Sequence, residues 1–95
     1  METIWKFPLR NIRDEQFEVP AGSVPLSAHI QGETPDSLGQ IVVYFKVDTN
    51  APDGEFRTIS VRGTGHMLNG DEGKFLCTVA HQNIQLVWHI YVSGD

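Results

Sequence analysis

The sequence predicts an all-β protein, a small antiparallel β-sandwich or barrel of six or seven strands. Apolar and polar residues alternate with a period of two along most of the chain, as in strands that bury one face. No segment sustains the i, i+3, i+4 spacing of an amphipathic helix, so we expect few or no helices. Clusters of turn-forming residues separate the alternating runs, which is typical of small β domains.

The first half of the chain supplies three of the predicted strands. Ile41 to Asp48 is apolar on both faces near its start, which predicts a central strand. Trp5, Pro8 and Pro25 indicate edges or strand ends, because proline cannot donate to a central ladder. The apolar faces of the first two runs are Trp5, Phe7 and Leu9, then Val24, Leu26, Ala28 and Ile30.

Three further runs complete the predicted set. Phe56 to Arg62 follows the turn formers of residues 49–54, and Lys74 to His81 comes next. The apolar face of the last run is Ile84, Leu86, Trp88, Ile90 and Val92. The predicted turns are Pro20-Ala21-Gly22, Gly32 to Gly39, Asn69-Gly70 and His81-Gln82-Asn83.

Length and charge limit the class of protein. A chain of 95 residues predicts one β domain over residues 1–95. A core this small gives modest stability, so we expect a homo-oligomer. The net charge is -5, from 12 acidic and 7 basic residues, which argues against a nucleic-acid polymer as partner. It leaves a small nucleotide open, since a few arginines can converge on one phosphate.

The single cysteine and the hydropathy indicate the compartment. Cys77 is the only cysteine, so no intrachain disulfide can form, and its apolar neighbours favour a buried structural thiol. The first residues lack the features of a secretory signal, and no run is long enough to cross a bilayer. We expect a soluble cytoplasmic protein that makes no membrane contact.

The turn Gly63-Thr64-Gly65-His66 is the first candidate ligand site. Its two glycines let the backbone approach a ligand, its N–H groups and Thr64 can donate hydrogen bonds, and His66 can stack or donate. It is not a phosphate-binding P-loop, because the lysine and the following Ser or Thr are missing. The alternative is a structural turn in which the glycines supply positive φ angles.

Four further residues complete the candidate ligand-binding set. Arg57 and Arg62 flank the strand before the turn, and a guanidinium suits phosphate because its planar fork donates two parallel hydrogen bonds. His89 and Tyr91 share the face opposite Trp88, where they can stack on a base or contact a second subunit. Surface charge and ordinary packing are the alternatives.

No catalytic or metal-binding residues are predicted. The four histidines and Cys77 lack any close paired spacing of metal ligands, and no pairing of a nucleophile with a base is legible. We therefore expect binding rather than turnover, with no cofactor.

Several motifs together resemble a family of small phage and prophage proteins known mainly as a domain of unknown function. The motifs are Ile4-Trp5-Lys6-Phe7-Pro8-Leu9, Asp14-Glu15-Gln16, Pro20-Ala21-Gly22 leading to Leu26-Ser27, Val47-Asp48, Gly63-Thr64-Gly65-His66 and Val87-Trp88-His89. The chain departs from the pattern at Val43-Tyr44-Phe45-Lys46, where a run containing tryptophan is expected.

The resemblance implies a function. Small phage accessory proteins of this sort include counter-defence factors such as anti-CBASS sponges, which sequester cyclic nucleotide immune signals. The leading hypothesis is a non-enzymatic phage protein of the host cytoplasm that oligomerises and binds a cyclic oligonucleotide near its subunit interfaces. The alternative is an accessory protein that acts through protein–protein contacts, as a host-enzyme inhibitor or a virion component. An enzyme that degrades a nucleotide signal is the least favoured hypothesis.

Overall fold

The computed structural model describes residues 1–94, and seven strands make up its regular structure. No helix occurs within those residues, which confirms the all-β prediction. The strands are β1 (Glu2–Pro8), β2 (Glu15–Pro20), β3 (Val24–Gln31), β4 (Gln40–Asp48), β5 (Asp53–Gly63), β6 (Lys74–Ala80) and β7 (Val87–Val92).

The strands form a β-sandwich of two antiparallel sheets. Sheet A has the order β1-β4-β3, and sheet B has the order β2-β5-β7-β6. The sequence is compatible with either a sandwich or a barrel. The strands form two separate sheets, so the fold is a sandwich. The prediction of a central strand at Ile41 to Asp48 is confirmed, since β4 pairs with both neighbours. Trp5, Pro8 and Pro25 lie on edge strands, as predicted.

The strand β2 was not assigned from the sequence. Its only large apolar residues are Phe17 and Val19, between charged and amide side chains, so its alternation is short. It is held by pairing with β5, in a register that runs from Glu15 opposite Ile59 to Val19 opposite Glu55. The partner strand, rather than the local pattern, therefore specifies this element.

The last strand begins later than the alternation predicts. Ile84 and Leu86 were placed on its apolar face, but both are exposed and lie before β7. The imidazole of His81 explains the difference, because its Nδ1 accepts hydrogen bonds from the backbone N–H groups of Asn83 at 3.0 Å and Ile84 at 3.3 Å. These two N–H groups are engaged in a turn and therefore cannot donate hydrogen bonds to a neighbouring strand.

The core lies between the facing sides of the two sheets. Phe45 at its centre is fully buried and meets Phe7 edge-to-face, with ring centroids 5.3 Å apart. Trp88 is buried, as the alternation predicts. The remaining large buried side chains are Leu9, Ile30, Ile41, Val43, Val47, Ile59, Val79, Ile90 and Val92.

The edge strands β3 and β6 lie against each other along one side of the sandwich. The Cys77 Sγ lies 3.8 Å from the carbonyl oxygen of Ala28, where these strands meet. The thiol is partly rather than fully buried, and this burial raises the pKa of Cys77. A raised pKa keeps the thiol protonated and is consistent with a structural role.

Candidate functional site

The turn after β5 is closed by its own side chain. The N–H of His66 donates to the carbonyl of Gly63, and the N–H of Gly63 donates to Nδ1 of His66, both at 3.1 Å. Gly65 has a φ of 88°, a left-handed conformation that favours glycine. Because Nδ1 accepts, the neutral ring carries its proton on Nε2, which is available as a donor on an exposed side chain.

The imidazole of His89 joins this turn to β6. Its Nε2 lies 2.9 Å from the hydroxyl of Thr64, and its Nδ1 lies 3.0 Å from the hydroxyl of Thr78. A neutral imidazole has one donor and one acceptor, so one threonine accepts from the ring and the other donates to it. The turn is therefore tied to two neighbouring strands of sheet B.

The guanidinium of Arg62 is held between two carboxylates. Its Nη1 donates to Oδ1 of Asp14 at 2.7 Å, and its Nε donates to Oε2 of Glu72 at 3.3 Å. Glu72 also accepts from the backbone N–H groups of Asn69 at 2.7 Å and Gly70 at 3.0 Å. Arg62 thereby fixes the loop before β6, and an incoming phosphate would compete with both carboxylates.

Both carboxyl groups are held in the charged form. Burial opposes the ionisation of Asp14, but hydrogen bonds from Arg62 and from the N–H of Val61 outweigh it, so the pKa of Asp14 is lowered. The pKa of Glu72 is also lowered, chiefly by the hydrogen bond from the N–H of Asn69. The nearby carboxylates in turn raise the pKa of Arg62.

The structure brings most of the predicted ligand-binding set together at one end of sheet B. Tyr91 lies two residues along the same face of β7 and meets Phe75 edge-to-face, with ring centroids 5.5 Å apart. The residues gathered around the turn are Arg62, Gly63, Thr64, Gly65, His66 and His89.

Arg57 is separated from that cluster and points to the other face of β5. Residues 57 and 62 have opposite parity, so strand alternation sends one side chain inward and the other outward. Arg57 is only 3% exposed. Its Nε donates to the carbonyl of Ser93 at 2.7 Å and its Nη1 to the carbonyl of Ser23 at 2.9 Å. Glu55 also contacts this guanidinium, with Oε1 3.3 Å from Nη1.

A groove of about 470 Å³ opens at the Arg57 end of the sandwich. It forms where the beginnings of β3 and β6 separate, over the end of β7. Within residues 1–94, the charged side chains that line it are those of Glu55, Arg57 and Lys74. Its apolar lining consists of Val24, Pro25, Phe75, Leu76 and Val92.

The sequence did not single out this groove. Its lining comes from four separate parts of the chain, at residues 22–25, 55 and 57, 74–76, and 92, whose meeting depends on the sheet packing. Lys74 and Phe75 were recognised only as the beginning of a strand. The exposure of Phe75 also contradicts its place in an apolar run, because β6 has a bulge between Phe75 and Cys77 that changes which residues point outward.

The described residues were also compared with the requirements of a metal site and of a membrane-spanning helix. Within residues 1–94, no group of three or more histidine, cysteine, aspartate or glutamate side chains is placed to hold a metal ion. The described part of the chain also has no helix long and apolar enough to cross a membrane.

The fold and the groove define a small β-sandwich protein with a ligand-sized cleft at one end. The chain belongs to the family DUF7352, a domain of unknown function, whose model matches residues 1–95. No curated relative and no solved structure matches the chain. This membership agrees with the resemblance to a domain-of-unknown-function family in the sequence analysis.

Proposed function

We propose that this protein is a non-enzymatic binding protein that takes a small anionic ligand in the groove lined by Arg57 and Lys74. The observation that carries the proposal is the combination of two cationic side chains with an apolar lining in one cavity of about 470 Å³. Ligand pockets generally join apolar walls to a few polar groups and have volumes of roughly 300–1,000 Å³.

The charges of the groove favour an anion. Among residues 1–94, Arg57 and Lys74 supply two positive charges to the lining and Glu55 one negative charge, in a chain of net charge -5. Arg57 is already hydrogen-bonded to Ser23, Ser93 and Glu55. It therefore contributes a positive electrostatic potential from a fixed position in the groove. Lys74 is exposed and is the cation that we expect to contact the ligand.

The apolar lining indicates the body of the ligand. Phe75 is 56% exposed beside the groove and offers a ring face on which a planar group can stack. A nucleotide combines a planar base with an anionic phosphate and is of suitable size. The resemblance to a family of small phage and prophage proteins, a group of accessory proteins that includes counter-defence factors, favours a cyclic oligonucleotide immune signal, sequestered without chemical change.

The groove suits this ligand better than the turn at Gly63 to His66 does. At the turn, Arg62 is bridged to both Asp14 and Glu72, so the local charge is net negative. A phosphate bound there would be repelled by two carboxylates whose pKa values are lowered. Thr64 and His66 are better suited to neutral polar groups.

Calorimetric titration with nucleoside monophosphates and cyclic di- and trinucleotides tests the proposal. We expect Lys74→Glu to weaken binding at least about tenfold, as removal of a charged hydrogen-bond partner usually does. Lys6→Glu makes the same charge change on the outer face of sheet A, where Nζ of Lys6 donates to Oε1 of Gln31 at 3.3 Å, and should leave the affinity unchanged.

Phe75→Ala tests the stacking contact against a matched control. Phe56 is 54% exposed and does not line the groove, so Phe56→Ala is the comparison. Loss of affinity only in Phe75→Ala supports the groove. Each bound nucleotide is then recovered after denaturation, and recovery of an altered product would identify an enzyme instead. Absence of binding across the panel by folded protein would refute the proposal.

A loop favours the second candidate function, contact with a protein partner. Met67 is 85% exposed and Leu68 is 53% exposed. They lie between two fixed points, the closed turn at Gly63 to His66 and the cap that Glu72 forms on Asn69 and Gly70. A rigid loop that presents two apolar side chains loses little entropy on binding.

This alternative predicts a protein captured from a host lysate by the wild type but not by a Met67→Ser, Leu68→Ser double variant. Ile4→Ser, at a comparably exposed apolar residue on sheet A, is the control. Equal capture by the double variant would exclude the loop as the contact surface.

A further inference from the structure

The carboxylate of Glu55 in the groove is not explained by an anionic ligand alone. Glu55 lines the groove together with Arg57 and Lys74, and a carboxylate repels a phosphate. Its side chain is 33% exposed, so part of it can contact a bound molecule. An ionised carboxylate accepts hydrogen bonds and donates none, so a ligand that contacts Glu55 must bring N–H or O–H donors.

Two contacts hold Glu55 in place. Its Oε1 lies 3.3 Å from Nη1 of Arg57, and its Oε2 accepts from the backbone N–H of Gly22 at 3.3 Å. A carboxylate has about four acceptor positions, so these two contacts leave room for two donors of a ligand. Because the carboxylate is already fixed in position, little side-chain entropy is lost when a ligand binds to it.

Glu55 and Lys74 lie on opposite sides of β7. Sheet B has the order β2-β5-β7-β6, with Glu55 on β5 and Lys74 on β6. Val24 and Pro25 follow the turn at Gly22 that bonds to Glu55, and they line the same groove. A nucleotide whose phosphate contacts Lys74 can therefore place its base toward Glu55, against apolar residues and away from the phosphate.

We propose that the ligand is a guanine nucleotide, whose base is recognised by the carboxylate of Glu55. This inference rests on the proposed function, the binding of a nucleotide in this groove. The Watson–Crick edge of guanine carries two adjacent donors, N1–H and the 2-amino group, which match the two oxygens of one carboxylate. In adenine and cytosine the amino group lies next to an acceptor nitrogen, and in uracil a single N–H lies between two carbonyls. Each of these bases therefore directs an acceptor at the carboxylate.

The pairing sets the size of the expected preference. A bidentate contact between a side chain and a base edge typically discriminates against the wrong base by roughly 5- to 150-fold in affinity. Glu55 is partly exposed, and water can replace part of a lost contact there. We therefore expect a preference near the lower end of this range, about tenfold.

Calorimetric titration with the monophosphates of guanosine, inosine and adenosine tests the proposal. Inosine keeps N1–H but lacks the 2-amino group, whereas adenine has an acceptor at N1. We expect the guanosine nucleotide to bind at least about tenfold more tightly than the adenosine nucleotide, with the inosine nucleotide between them.

Glu55→Gln separates recognition of the base from a structural role. The amide keeps the length of the side chain and an acceptor for Gly22, but it exchanges one acceptor for a donor. A purely structural change alters the affinities for all three nucleotides by the same factor, whereas loss of recognition lowers the ratio between guanosine and adenosine nucleotides to less than about threefold. Glu18→Gln, the same substitution on β2 outside the groove lining, should keep the wild-type ratio.

Circular dichroism of each variant establishes that it is folded. Equal affinity of the wild type for guanosine and adenosine nucleotides would overturn this inference and leave the proposed binding function standing. An unchanged ratio in Glu55→Gln would also overturn it, because another group would then recognise the base. Absence of binding of every nucleotide by the folded wild type would refute the proposed function and this inference together.

Discussion

The guanidinium carbon of Arg57 lies 5.8 Å from the ring centroid of Phe45, the residue at the centre of the core. The same side chain bonds to the carbonyls of Ser23 and Ser93, so one cation connects the core, the turn before β3 and the segment after β7. Because Arg57 also lines the groove, the shape of the candidate site and the stability of the fold depend on one residue.

Arg57→Ala should therefore be strongly destabilising. The substitution leaves two carbonyl acceptors and Glu55 without this partner, and we expect a loss of about 3 kcal/mol in the free energy of unfolding. Urea denaturation measures it. Arg10→Ala is the control, because the side chain of Arg10 is 82% exposed and its loss should change stability by less than about 0.5 kcal/mol. Similar losses in the two variants would contradict this role.

His81→Ala should loosen two loops at once. The buried ring of His81 places Nε2 2.7 Å from the carbonyl of Ser37 and accepts at Nδ1 from Asn83 and Ile84. We expect a loss of about 1–3 kcal/mol and faster hydrogen exchange at Asn83 and Ile84. His29→Ala, at an exposed ring, is the comparison. Unchanged exchange at both amides in His81→Ala would contradict the assignment.

Acid should weaken the protein through Asp14 and Glu72. Both carboxyl groups have a pKa below their ordinary values of 3.8 and 4.5. Their contribution is therefore complete above those values and is lost as the pH falls through the lowered folded-state pKa values. Denaturant unfolding from pH 7 down to pH 3 measures this loss. An Asp14→Asn, Glu72→Gln double variant should show a shallower dependence, and an equally steep one would contradict the explanation.

Gly73→Ala should disrupt the start of β6. Gly73 has a φ of 93°, and a Cβ there would collide with the backbone of Val92 and Ser93. Gly70 also has a φ of 93° but has open space around it. Gly70→Ala should thus lower the free energy of unfolding only by the strain of a left-handed alanine, about 1 kcal/mol. Gly73→Ala should lower it by clearly more, because the collision adds to that strain. Thermal midpoints of the two variants make the comparison, and equal midpoints would argue against the close approach.

Period-two alternation predicts the strands whose two faces differ clearly. It identifies the central strand through Ile41 to Asp48 and the buried face of Trp88, Ile90 and Val92. It fails at β2, whose pairing partner lies about forty residues away, and at Ile84 and Leu86, where the His81 ring captures the backbone donors.

Less of the candidate site than of the fold can be predicted from the sequence. The sequence lists the turn at Gly63 to His66 and His89 as candidate residues, and the pairing of β5 with β7, which the sequence does not predict, brings them together. The opposite directions of Arg57 and Arg62 are readable from their parity on one strand. The two carboxylates on Arg62 and the groove are not readable, since both depend on how distant loops pack.

Titration of the wild type, Lys74→Glu and Lys6→Glu with a panel of cyclic nucleotides tests the central claim most directly. We expect saturable binding of at least one nucleotide by the wild type and by Lys6→Glu, with at least about tenfold weaker binding by Lys74→Glu. Absence of binding by the folded wild type, or equal affinity in all three proteins, would contradict it.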